Sequence, residues 1–179
     1  MNQDSEMVLY NQMCLAIAQC AAVDEVAGIK DRAEQLQAYA KVRDNAEAER
    51  QFAEIKLRAS IRIGELSRDL PHGKPGPKPG KNQLSDNDVA QFDKENVLET
   101  AGIGIRTAER YEELAGRREE QAQKVATNAA ELYFAEQKQN EQTPTMGGLK
   151  AAVRSALIQS FGEKSTKPTS KPRDPDLLV

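Results

Sequence analysis

The sequence predicts an all-α protein whose helical segments are divided by one long Pro/Gly/Lys stretch. Three observations carry that reading. Charged residues are 30% of the 179 and β-branched runs are scarce, which disfavours an all-β domain. Apolar residues recur at spacings of three and four over several long windows, the period of a helix face. The 39% hydrophobic share leans on 24 Ala, with no Trp and only four Phe and four Tyr. Ala covers little area, so such helices pack closely on one another rather than around a large core.

The first helix is expected from Glu6 to Cys20, with Ser5 as its N-cap. Met7 to Leu15 is apolar around much of its circumference, so this helix needs cover on more than one side. The second is expected from about Asp24 to Arg43, where Val26, Ile29, Ala33, Leu36 and Ala40 form a heptad-type stripe. A turn at Arg43-Asp44-Asn45 follows, and Asp44-x-x-Glu47 has the form of a capping box. The third helix then carries Phe52, Ile55, Ala59, Ile63, Leu66 and Leu70 on one face.

Helices two and three make an antiparallel hairpin, about 30 and 39 Å long at ~1.5 Å per residue. Its narrow, Ala-containing stripe suggests pairing with a second copy. A homodimer through Val26, Ile29, Leu36, Phe52, Ile55, Ile63 and Leu66 is the expectation, with residues 1–70 as a self-association module.

Residues 71–82, PHGKPGPKPGKN, read as a basic flexible linker. They divide the hairpin from a second helical domain over 83–161, and 162–179 reads as a disordered tail. The net charge is −3, yet it is uneven: +3 over 71–81, −6 over 82–143 and +3 over 144–179. Positive charge is therefore local, and local patches matter most for phosphate binding. Lys74, Lys78 and Lys81 of the linker are candidate phosphate contacts.

The one constellation with chemistry lies in 93–115, DKENVLETAGIGIRTAERYEELA. Val97, Leu98 and Ala101 share one helix face, Gly102 stands at a sharp turn, and a second helix opens near Gly104. Ala108, Tyr111, Leu114 and Ala115 would face inward. That is a helix-turn-helix pattern, and it leaves Arg106, Thr107 and Arg110 on the solvent side as candidate DNA contacts. Arg106 and Arg110 suit guanine edges or phosphates, and Thr107 a thymine methyl or a phosphate. Arg117 and Arg118 extend the basic side, while Glu109, Glu112 and Glu113 oppose it. A last helix is expected over Met146–Phe161, with Leu149, Val153, Ala156, Leu157 and Phe161 on one face.

Catalytic patterns are missing from the sequence. It has no P-loop and no G-x-S-x-G, and Gly102-Ile103-Gly104 follows a helix rather than a strand. His72, the single histidine, stands in the linker away from other ligand types. Cys14 and Cys20 have neither redox nor zinc spacing and read as small apolar residues in a reducing cytoplasm. No metal, no cofactor and no enzymatic activity are expected. With no apolar run near membrane-spanning length and no signal-peptide pattern, a membrane partner is not expected, and the bacterial cytoplasm is the expected location.

Two blocks also resemble a family of small helical proteins from prophages and other mobile elements. They are Ala22-Val23-Asp24-Glu25-Val26-Ala27-Gly28-Ile29-Lys30-Asp31-Arg32-Ala33-Glu34 and Ala53-Glu54-Ile55-Lys56-Leu57-Arg58-Ala59 through Ile63-Gly64-Glu65-Leu66. A looser third block is Ala101-Gly102-Ile103-Gly104 with Thr107-Ala108-Glu109-Arg110-Tyr111-Glu112-Glu113-Leu114-Ala115. This chain has Gly104 where relatives carry Ser, and Glu112-Glu113 where they carry Gln-Lys. The resemblance implies a mobile-element origin and a DNA-binding helix-turn-helix. The rival expectation is a non-enzymatic factor that binds a host or phage protein through its apolar first helix and hairpin.

Overall fold

A computed structural model describes residues 3–71, 94–116 and 120–161. The protein is all-α. Its described residues form α1 (Gln3–Gln19), α2 (Val23–Val42), α3 (Ala46–Asp69), α4 (Lys94–Thr100), α5 (Ile105–Leu114), α6 (Glu120–Gln139) and α7 (Met146–Phe161). The linker, His72, Lys74, Lys78, Lys81, Arg117, Arg118 and the tail lie outside the described residues.

Two helix starts differ from expectation. Ser5 lies within α1 rather than at its cap. Before α3, the cap is Asn45, whose Oδ1 accepts from the Ala48 N–H at 3.1 Å. Asp44 instead takes φ +52° and ends α2. Asn45 N–H donates to the Ala40 carbonyl at 3.0 Å and Asp44 N–H to that of Lys41 at 3.2 Å. That is a Schellman ending, which needs a left-handed residue where Asp44 stands. A capping side chain needs extended backbone, so Asp44 cannot fill both roles.

The centre of the molecule is α3. It packs along α2 and also touches α1 and α5. Its burial runs on two sides. One is the expected stripe of Phe52, Ile55, Ala59 and Ile63; the other is Ala53, Leu57, Ser60, Gly64 and Ser67. One apolar cluster extends from Met13 and Ile17 through these positions to Leu98, Leu114, Phe134, Leu149 and Val153. The expected break at 71–82 therefore does not divide two cores. Lys94 N–H donates to the Pro71 carbonyl at 3.1 Å, so the chain re-enters the fold beside the point where it left.

The expected dimer stripe is satisfied within one chain. Val26, Phe52, Ile55 and Ile63 are buried, and Ile29, Leu36 and Leu66 pack half-buried against the same cluster. Apolar area already removed from water cannot drive association a second time. Four of these residues are core and the other three pack at its edge, so the seven do not form a free apolar face.

Three arginines of α3 reach the C-terminal ends of other helices, where carbonyls lack intrahelical partners. Arg62 Nη2 donates to the Cys20 carbonyl after α1 (3.0 Å), and Arg68 Nη1 to Gly116 after α5 (3.0 Å). Arg50 Nη1 donates to Glu141 after α6 (3.1 Å). Each places a cation at the negative end of a helix dipole. Arg58 adds a side-chain link. Its guanidinium grips Glu131 of α6 at 2.6 and 3.0 Å, lies 4.8 Å from the Phe134 ring centre, and donates to Glu54 at 2.8 Å.

Candidate nucleic-acid interface

The α4–α5 unit follows from its glycines. Gly102 has φ +69°, a conformation open to Gly at little cost. Its N–H donates to the Glu99 carbonyl (2.9 Å), and Ile103 N–H to that of Leu98 (2.8 Å). This second Schellman ending folds the chain back, and buried Ile103 anchors the turn. Gly104 then starts α5 with extended backbone, and its carbonyl accepts from Thr107 (2.8 Å) and Ala108 (3.1 Å). Gly supplies no capping oxygen, so no side chain covers the first free N–H groups of this helix.

Inward positions on α5 are Ala108, Tyr111, Leu114 and Ala115, all buried as the spacing requires. Arg106 and Arg110 are exposed and Thr107 is half-buried. The two arginines stand one turn apart on one face of the helix, their Cα atoms about 6 Å apart along the axis.

The three carboxylates of α5 do not act alike. Glu109 is exposed between the arginines. Glu113 pairs with Lys150 of α7. Glu112 turns toward α3: its Oε1 accepts from Lys94 Nζ at 2.5 Å and from Ser67 Oγ at 2.6 Å. The Lys94 side chain is 7% exposed and that of Glu112 22%. Burial at that level turns the pair into a fastening of α5 to α3 and α4, so Glu112 is not part of the solvent face. Its charge is held by Lys94 and does not oppose the basic side, contrary to the expectation from its sequence position. On α4, Glu95 and Glu99 remain exposed, and they keep that part of the surface acidic.

Gly64, Ser67, Arg68, Lys94 and Glu112 thus seat α5, a role the sequence announces for none of them. Gly64 does so by close approach: a Cβ there would overlap the Tyr111 carbonyl and come within 2.8 Å of the Glu112 nitrogen. A spacing signal was present, since Gly64 and Ser67 continue the three-four register of Ala53, Leu57 and Ser60. Hydropathy hid it.

Among the described residues, no group of three or more His, Cys, Asp or Glu side chains converges in a way that could hold a metal ion. No helix among them is long and apolar enough to cross a membrane. Chemically the arrangement offers two exposed guanidinium groups on one short helix, with the exposed Glu109 carboxylate between them. No family model, curated protein or solved structure matches this chain.

Proposed function

We propose that this chain binds duplex DNA through the first turns of α5, as a regulator or accessory factor of a phage or mobile element. The observation that carries the reading is the split of α5. Arg106 and Arg110 face outward, Thr107 is half-buried at the edge of that face, and Ala108, Tyr111 and Leu114 are fixed inside. Recognition helices of helix-turn-helix units use N-terminal residues in this way. Pairing of Glu112 with Lys94 and of Glu113 with Lys150 supports it, since each removes a repulsion that phosphates would otherwise meet.

The test is a gel-shift titration of the full chain with random and genomic duplexes at ~50 and ~200 mM salt. Binding should weaken by orders of magnitude between the two if six or more phosphates are contacted. Arg106→Ala with Arg110→Ala should remove it. No shift at the lower salt, or a shift indifferent to the double substitution, sinks the reading.

The rival reading, docking on a host or phage protein, is favoured by α1. Val8 and Leu15 lie two turns apart with 54% and 60% of their surface exposed. A Leu15→Lys chain that keeps DNA binding would separate that surface from α5.

A further inference from the structure

We infer that α7 supplies a second phosphate contact, Arg154, next to the α5 surface; the inference rests on the DNA reading above. Across Met146–Phe161 this helix carries two cations, Lys150 and Arg154, and no carboxylate. Leu149 and Val153 are buried, which fixes the rotation of α7. Lys150 and Arg154 each follow one of those anchors, so they project together on one exposed face, one turn apart.

The junction with α5 is marked by the Lys150–Glu113 ion pair. Glu113 is three residues beyond Arg110, hence its neighbour on the helix surface. Moving outward from Arg106, the surface passes Arg110, reaches a carboxylate already neutralised by Lys150, and continues to Arg154. Lys150 is committed to Glu113. No carboxylate among the described residues pairs with Arg154. Its planar guanidinium suits bidentate phosphate binding. Base edges read by α5 and a phosphate held by α7 would fix the register of the protein on its duplex, because phosphate contacts position and base contacts specify.

The experiment is fluorescence anisotropy of the full chain with a short random-sequence duplex and with a genomic duplex, over ~50–200 mM salt. Arg154→Ala should weaken both complexes alike, roughly five- to tenfold near ~0.1 M salt. It should also lower the steepness of log affinity against log salt by about 0.9, the value for one phosphate. Arg154→Lys should restore most of the slope, and Lys138→Ala, an exposed cation of α6, should change neither quantity. If Arg154→Ala leaves affinity and slope intact while Arg106→Ala/Arg110→Ala abolishes binding, the α7 contact is wrong and the α5 reading stands. If Arg154→Ala weakens binding but the α5 double substitution does not, the reverse holds. A wild-type chain that binds neither duplex at ~50 mM overturns both.

Discussion

Gly64 of α3 lies directly against the peptide carbonyl of Tyr111 of α5, with room for a hydrogen and not for a methyl. The obstacle is backbone, so no rotamer change relieves it. Gly64→Ala should therefore push α5 off α3 and disturb the Ser67–Glu112 hydrogen bond beside it. Overpacking of this kind costs ~1–3 kcal/mol, and more where backbone must move. Gly28 is the internal control: it is helical, exposed and has nothing within 4 Å of an added Cβ. Gly28→Ala should stabilise by ~0.5–1 kcal/mol. Urea midpoints of the two variants should move in opposite directions, and a neutral Gly64→Ala would refute the close-approach account.

Among the described residues four helices end on a left-handed residue, and only two of those residues are Gly. Gly102 (φ +69°) and Gly116 (φ +83°) end α4 and α5, while Asp44 (φ +52°) and Glu141 (φ +54°) end α2 and α6. A side chain at such a φ is strained by roughly 1 kcal/mol, less for Asp than for Glu. Glu141→Gly should then raise stability by up to ~1 kcal/mol, and Gly102→Ala should lower it by a similar amount. Thermal melting tests both. Equal and small shifts of one sign would show that these endings are not what limits the turns.

What the sequence made legible and what it hid divide along chemical lines. The stripe from Phe52 to Ile63 and the α5 anchors Ala108, Tyr111 and Leu114 were readable because large apolar residues announce a buried face by period alone. The second buried face of α3 was not, since Ser60, Gly64 and Ser67 score as neutral or polar although all are buried. With only the apolar stripe legible, the hairpin reads as a thin module that needs a second copy, whereas the second face of α3 seats α5 instead. Glu112 was misplaced for a related reason. Its partner Lys94 is on another helix, 18 residues away, and no local pattern reports a contact of that kind. Candidate DNA contacts Arg106 and Arg110 were legible because they are what remains of α5 once its anchors are known.

Stability should fall in alkali through α1. Tyr10 donates its hydroxyl to Glu54 at 2.8 Å. Burial first, then the Glu54 charge, push its pKa well above the ordinary value of 10.0. Cys14, half-buried one turn away, is also raised above its ordinary 9.0, mainly by burial. The folded state holds both protons more tightly than the unfolded chain does. Their stabilisation is thus whole below about pH 9 and drains as pH climbs past each unfolded value. Tyr10→Phe should start ~1 kcal/mol lower at pH 7 for the lost hydrogen bond, then decline less steeply above pH 10. Parallel declines of the two proteins would remove Tyr10 as a source of alkaline lability.

The Lys94–Glu112 pair sets the position of α5 from two sides, since Glu112 is on α5 itself while Lys94 opens α4 and also bonds Pro71 beyond α3. Neutralising one member should cost more than neutralising both. Glu112→Gln keeps an acceptor for Ser67 but leaves the nearly buried ammonium of Lys94 without its counter-charge. Breaking a buried pair from one side costs ~3–5 kcal/mol, and the partial exposure of Glu112 puts this one near ~2–3. Lys94→Met with Glu112→Leu replaces the pair by apolar contact and should recover much of that loss, because two desolvation penalties vanish together. A double-mutant cycle on urea midpoints measures the coupling. Additive losses would mean that the short contact contributes no net coupling, and that the helix is seated by its other contacts with α3.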